Sequence, residues 1–313
     1  MLAFLIRRLL IAVPTLFFVS VLIFGLQELL PGDPALALAG EDRDPTVIAY
    51  FHQRYHLDDP FPVRYFYWIR DALKGDLGQS LRTKLPVGVL VLQKLPVTLE
   101  LGALAFLIAL LIGIPTGILS AVKSGTMLDY GANLLALWGL STPNFWLGIM
   151  LILLVSVDLG WLPASGFVPP LENLGENLRT IIMPAFVLGN AVAAVIMRHT
   201  RSAMLQVLAS DYVRTARAKG LSEASVIWRH SLRNALIPVI TLGALEFGQL
   251  LSGAVLTEQV FTIPGFGKLI VDAVFNRDYA VVQGVVLVTA TLYILLNIAA
   301  DCAYFLANPR LRA

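Results

Sequence analysis

Glu246 stands near the middle of an apolar run from Ala235 to Leu256. An ionised side chain is costly there and normally faces a cavity or a partner group. Two readings follow: the carboxyl belongs to a path through a membrane, or it is protonated or hydrogen-bonded between helices. Glu258 and Asp301 lie closer to the ends of apolar runs and read as interfacial groups rather than pore-lining ones. His52 and His56 have helical i, i+4 spacing, but no glutamate follows His52 and the segment is polar, so they read as surface histidines without a metal. A phosphate-cradling loop needs Gly-x-x-x-x-Gly-Lys-Ser/Thr, whereas Gly267-Lys268 is followed by Leu269, so ATP is not bound in that way. There is no Gly-x-Ser-x-Gly elbow, and the single cysteine, Cys302, can build neither a disulfide nor a thiolate metal site. No cofactor is implied, and nothing suggests a nucleic-acid site.

The elements that must hold these residues are membrane helices. With 57% hydrophobic and 14% charged residues in 313, and a mean hydropathy of +0.76, the chain is too apolar for a soluble domain of its length. Windows of about 20 nearly uncharged residues recur, which is the length of a helix crossing the hydrocarbon core. Six spans are read from hydropathy, at Leu9 to Leu30, Leu99 to Val122, Leu134 to Val157, Ile181 to Thr200, Ala235 to Leu256 and Val281 to Phe305. The expected fold is an all-α integral membrane protein with six transmembrane helices. Arg7 and Arg8 before the first run also fit a signal peptide, but that run is long and no small-x-small site precedes Pro31. Pro14, Pro115, Pro143, Pro184 and Pro238 fall in or beside spans, and the second span carries Gly102, Gly113 and Gly117. Singly they read as close packing; together they would let helices tilt.

Orientation follows from Lys and Arg in short loops. With the N-terminus inside, the inner side holds Arg7, Arg8, Lys123, Arg198, Arg201, Arg214, Arg217, Lys219, Arg229, Arg233, Arg310 and Arg312. The outer short loops hold only Arg179, Lys268 and Arg277. Both termini are therefore expected in the cytoplasm. Two polar segments remain. Pro31 to Pro96 lies outside, with an aromatic cluster at Tyr65, Phe66, Tyr67 and Trp68, and could fold as a small helical cap. Arg201 to Asn234 lies inside. In it Asp211 is placed to cap a short helix through Arg217 and Lys219, Gly220 to end it in a left-handed turn, and Ser222 to cap a second helix continuing to Asn234. Such a knob, projecting from rigid spans, could dock in a groove of a soluble partner. A basic inner loop that merely fixes topology and touches anionic lipid is the plainer reading.

Asp211-Tyr-Val-Arg-Thr-Ala-Arg-Ala-Lys-Gly220-Leu-Ser, followed by Arg229-His-Ser-Leu-Arg-Asn-Ala-Leu-Ile-Pro238, resembles the cytoplasmic signature loop of binding-protein-dependent ABC importer permeases. The chain is most similar to the dipeptide, oligopeptide and glutathione branch, as the first permease subunit of a pair. The general pattern opens with Glu-Ala-Ala where this chain has Arg214-Thr215-Ala216, and the interval to Pro238 is longer, departures typical of that branch. Further motifs of the branch are resembled in order by Pro31-Gly32-Asp33-Pro34, Leu57-Asp58-Asp59-Pro60, Gly75-Asp76-Leu77-Gly78-Gln79-Ser80, Trp161 through Gly166, Phe261 through Gly267, and Arg277-Asp278-Tyr279.

The resemblance implies a type I ABC importer permease of one domain, residues 1–313, in the bacterial inner membrane. It implies a non-catalytic subunit forming the path for a dipeptide, oligopeptide or glutathione. Its partners would be a second homologous permease, two cytoplasmic ATPase subunits and an extracytoplasmic substrate-binding protein, with lipid around the spans. Asp211, Arg214, Thr215, Ala216, Ala218, Lys219, Gly220 and Ser222 would then be the ATPase-coupling residues, and Glu246 the candidate for the translocation path. An ion-coupled secondary transporter is the alternative, but it would show more ionisable groups within spans and an internal repeat. An intramembrane enzyme would need a nucleophile with a partner at membrane depth.

Overall fold

The computed structural model describes residues 2–28, 35–36, 44–54 and 56–307. All regular elements among them are helical, in the order α1 (Leu2–Glu28), α2 (Pro45–Arg54), α3 (Phe61–Leu73), α4 (Val87–Val122), α5 (Met127–Ser141) and α6 (Asn144–Leu151). A π-helical stretch, Ile152–Asp158, continues α6. There follow α7 (Leu174–Leu208), α8 (Asp211–Ala218), α9 (Glu223–Ser225), a second π-helical stretch (Val226–Ser231), α10 (Leu232–Val260), α11 (Phe266–Phe275) and α12 (Tyr279–Ala307). Residues of α1, α4, α7 and α12 are long and apolar enough to cross a membrane; the α5–α6 and α9–α10 stretches bring the number to six if each bent pair is one span.

The third span is not the single run expected from Leu134 to Val157. It bends by 102° between α5 and α6. The cause is Pro143, which cannot donate an amide hydrogen and forces the residue before it out of helical geometry. Thr142 is accordingly extended, with ψ 119°. Its amide and its hydroxyl both donate to the Trp138 carbonyl, at 3.0 Å and 2.7 Å, closing α5.

The chain forms two compact units. In the first, residues 1–96 with 268–295, the aromatic cluster of the 31–96 segment lies on α3, and Tyr65 and Trp68 of it pack on α1. The Phe24 ring meets Phe61, Tyr65 and Trp68 at centroid distances of 5.4, 5.7 and 5.4 Å. Ser20 and Tyr65 share a hydrogen bond of 2.7 Å. His52 Nδ1 lies 2.8 Å from Asp58, and His56 stacks on Tyr67. Residues 31–34, 37–43 and 55 of the expected cap lie outside the described residues. Two of the motifs meet here, because Ser80 donates to Asp278 Oδ2 at 2.5 Å.

In the second unit, residues 97–267 with 296–313, α7 is the central helix. Ile181, Val187, Leu188 and Ile196 of α7 are among its fully buried side chains and share one core with Leu101, Ala105 and Ala109 of α4 and Val239, Leu250 and Ala254 of α10. Helices α4 and α7 approach closely where a side chain is missing. A Cβ on Gly113 would stand 2.7 Å from the Ala193 carbonyl, one on Gly117 2.7 Å from the Met197 carbonyl, and one on Gly189 against the Ala105 carbonyl. Two further motifs meet in this unit, since the Gly166 amide donates to the Phe261 carbonyl at 3.1 Å.

Glu258, near the end of its apolar run, is held inside the protein. It is fully buried and accepts a 2.5 Å hydrogen bond from Thr98, whose hydroxyl in turn accepts the Phe266 amide at 2.7 Å. Gly265 and Gly267 lie against its carboxylate, where any side chain would collide with it. Glu258 is thus the post around which the Phe261–Gly267 turn is wrapped. The Asp301 side chain lies outside the described residues.

Candidate coupling site

The knob begins where α7 ends. The Ser210 backbone takes the N-cap position of α8 with φ −74° and ψ 152°, but its hydroxyl donates back to the Val207 carbonyl and caps nothing. Asp211 is therefore the first residue of the helix and not its cap, correcting the expectation from sequence. Its carboxylate still suits the positive end of the helix and accepts from Arg214 Nη1 at 3.5 Å. At the other end Gly220 adopts φ +77°. Its amide donates to the Arg217 carbonyl at 2.9 Å and the Leu221 amide to the Ala216 carbonyl at 3.3 Å, the two bonds of a Schellman stop. Ser222 then caps the next helix, accepting the Ser225 amide at 3.4 Å.

That second helix does not end at Asn234. It passes through the π-helical Val226–Ser231 and continues as α10, so the knob runs without a loop into the fifth span, which bends by 41° between Ile240 and Leu242. Helix α8 is fastened to its surroundings by its apolar side. Val213 and Ala216 are buried with Val226 and pack against Val207 and Leu208 at the end of α7. Two polar braces add to this: Arg217 donates to both carboxylate oxygens of Glu223, at 2.8 and 3.2 Å, and Asn234 donates to the Tyr212 hydroxyl at 2.9 Å.

Of the residues proposed from sequence to touch an ATPase, Asp211, Arg214, Thr215, Ala218, Lys219, Gly220 and Ser222 lie exposed on the knob. Ala216 is only 7% exposed and serves the inner packing instead. Sequence reasoning missed Tyr212, Leu221 and Trp228, which stand exposed on the same knob at 44, 39 and 60%. Their signal was available as bulky apolar residues interrupting a polar stretch. Exposed apolar groups among Arg214, Arg217, Lys219 and Arg229 make a surface suited to burying against a partner.

Glu246 is not brought to the knob. It is half-buried on α10, twelve residues beyond Asn234, which is about 18 Å of helix. Nearby on the same helix Gly243 faces the Phe106 ring, and Phe247 meets that ring edge to face at 5.4 Å. His199 of α7 lies within electrostatic reach of the carboxyl.

Residues 113–313 match the family described as the binding-protein-dependent transport system inner membrane component, and residues 1–102 match the N-terminal region of such membrane components. A di/tripeptide transport system permease of Pseudomonas aeruginosa is 46% identical, over 100% of this chain and 99% of that protein. A dipeptide transport system permease of Escherichia coli is 42% identical over the same shares. An oligopeptide transport system permease of Bacillus subtilis is 41% identical over 99% of each. Among solved structures, an inward-facing methionine ABC transporter shares the fold with a TM-score of 0.59 at 18% identity, over 70% of this chain and 96% of that chain. Matched from end to end in this way, the chain belongs to the family of binding-protein-dependent transport system inner membrane components.

Proposed function

We propose that this chain is the permease subunit of an ATP-driven importer that carries dipeptides or short oligopeptides across the bacterial inner membrane. The observation that supports the substrate class is its end-to-end similarity to permeases named for di/tripeptide, dipeptide and oligopeptide transport. The whole chain acts as one permease domain, with 31–96 outside, 201–234 as the cytoplasmic coupling loop, and both termini cytoplasmic. It pairs with a second, similar permease above two ATPases, and a binding protein delivers the peptide from outside. ATP is hydrolysed on the ATPase subunits, and the permease performs no covalent chemistry.

Coupling runs through the knob. Closure of the ATPases draws on the exposed surface of α8, with Asp211, Arg214, Thr215, Ala218, Lys219, Gly220 and Ser222 presented and Ala216 anchoring it from within. Because α8 packs on the end of α7 and its neighbour helix continues into α10, a pull on the knob rocks two spans together. Glu246 on α10 serves the path itself.

The test is import of a labelled dipeptide into proteoliposomes containing the four-subunit complex and its binding protein. Uptake requires ATP and is lost when the ATPases carry hydrolysis-deficient substitutions. Uptake that is indifferent to those substitutions would reject the reading. Reporter fusions check the orientation: one after Arg312 reads as cytoplasmic and one inserted between Glu41 and Thr46 as external.

A further inference from the structure

Asp129 lies in the first turn of the apolar helix α5 and is only 4% exposed. Its carboxylate is saturated by donors from four places in the chain. Oδ1 accepts from Ser120 at the end of α4 (2.5 Å), from Asn133 one turn along α5 (2.8 Å) and from Arg201 Nε on α7 (2.8 Å). Oδ2 accepts the Gly125 amide of the α4–α5 turn (3.0 Å) and Arg201 Nη2 (2.8 Å). Arg201 Nε also reaches the Ser120 hydroxyl at 3.1 Å. Three helices and one turn thus converge on a single carboxylate.

Helix α4 is already seated closely on α7 at Gly113 and Gly117, so the freedom lies with α5. The Asn190 side chain of α7 donates to the Gly139 carbonyl near the far end of α5 at 3.2 Å, a single bond. Nearer the pair, α5 lies on α7 through Ala132, Ala136, Ala194 and Met197, small or pliable side chains over which a helix can turn or slide. Two parallel N–H···O bonds from a planar guanidinium set an angle as well as a distance. Arg201 stands less than two turns before Val207 and Leu208, the residues on which the α8 knob is seated. A force applied to the knob enters α7 beside the Asp129–Arg201 pair.

We infer that Asp129 and Arg201 are positioning residues for transport, forming a polar latch that makes the ends of α4, α5 and α7 follow the knob as one piece. The inference rests on the proposed coupling role of the knob. With the latch intact, movement of α8 turns the α4–α5 hairpin together with α7. With it broken, α7 turns against α5 and the movement is dissipated before it reaches the path.

The experiment uses the complete complex, with ATPases and binding protein, in proteoliposomes, and reads ATP hydrolysed per dipeptide imported. Arg201→Lys keeps the charge but loses the fork, and Asp129→Asn keeps the shape but loses the pairing. A double variant, Asp129→Leu with Arg201→Met, removes both charges, the buried Asp129 and the part-buried Arg201, and retains volume, a replacement that buried ion pairs often tolerate without loss of stability. All three are expected to assemble with the ATPases and hydrolyse ATP, while the ratio of ATP to peptide rises about fivefold or more, the lower end of ordinary coupling strengths. An assembled double variant with the unaltered ratio overturns the latch. Failure of the double variant to assemble also overturns it, since the network would then be a folding requirement alone. The unsubstituted complex serves as the separate check on function: if it imports no dipeptide with ATP, the proposed function fails and the latch inference fails with it, whereas a fault confined to the variants concerns the latch only.

Discussion

Arg217 reaches across the Gly220 corner and grips Glu223 with a forked hydrogen bond, 2.8 Å from Nε and 3.2 Å from Nη2. The pair joins the last turn of α8 to the first residue of α9, so it resists opening of the corner. Both side chains are substantially exposed, and exposed ion pairs contribute little because water and salt screen them. The buried contacts of Val213 and Ala216 hold the same corner from the other side without screening. Arg217→Ala and Glu223→Ala are therefore expected to leave membrane abundance unchanged and to lower uptake by no more than a few-fold. Val213→Asp, which places a charge at a fully buried position, is expected to abolish uptake and ATPase co-purification together. Uptake and pull-down measured on the same membranes compare the two classes.

The corner itself depends on backbone conformation and not on space. A Cβ at Gly220 would meet nothing within 4 Å, so the only penalty on a side chain is the positive φ of +77°. That penalty is about 1 kcal/mol or more for most residues, greater for β-branched ones, and small for Asn, which visits the left-handed region readily. Gly220→Asn is expected to retain most coupled uptake. Gly220→Val is expected to reach the membrane yet lose peptide-stimulated ATP hydrolysis and uptake in step. Equal behaviour of the two variants would show that the left-handed turn is not what aims α8.

The spans and this turn were legible in the sequence because both are local. Runs of about 20 apolar residues announce themselves, and Gly220 followed by Ser222 is a stop and a start two positions apart. The break at Pro143 was visible as a residue but not as a 102° bend, because the direction a chain takes after a proline is set by what each half packs against. The burial of Glu258 was not legible because it depends on Thr98, 160 positions away. Arg201 was counted only as an inner positive charge, and Asp129, its partner 72 residues earlier, drew no attention. An acid in the first turn of an otherwise apolar helix was the available signal. Asp211 was taken for a cap because capping residues and first-turn acids share the same chemistry, and Ser210 occupies the position instead.

The α4–α7 crossing predicts a stability effect independent of transport. Any side chain at Gly117 would run into the Met197 carbonyl and the Thr200 side chain at 2.7 Å, neither of which is the free end of a flexible group. Overpacking of this kind costs about 1–3 kcal/mol. Gly117→Leu is expected to lower the unfolding midpoint in detergent and the yield of assembled complex. Gly131→Ala on α5, where an added Cβ meets nothing within 4 Å, is the control and should change neither. Equal midpoints for all three proteins would show that the two helices do not cross at this distance in solution.

Glu246 separates an ATP-driven importer from an ion-coupled one. A carboxyl half-buried in the middle of α10 can act in two ways: as a polar lining group, whose shape and hydrogen bonding matter, or as a carrier of a proton or cation, whose charge matters. Gln keeps the first property and removes the second, whereas Leu removes both. If ATP supplies the drive, Glu246→Gln is expected to lower dipeptide uptake only modestly and to leave its ATP requirement unchanged, while Glu246→Leu lowers it further by stripping polarity from the path. Uptake is measured in proteoliposomes with ATP and with an imposed proton gradient, each alone and then together. A Gln variant that is dead, in a transporter whose unsubstituted form responds to the gradient without ATP, would replace the importer reading with secondary transport. A Gln variant that works while the Leu variant does not places the group in the lining of the path and confines the drive to the ATPases below the knob.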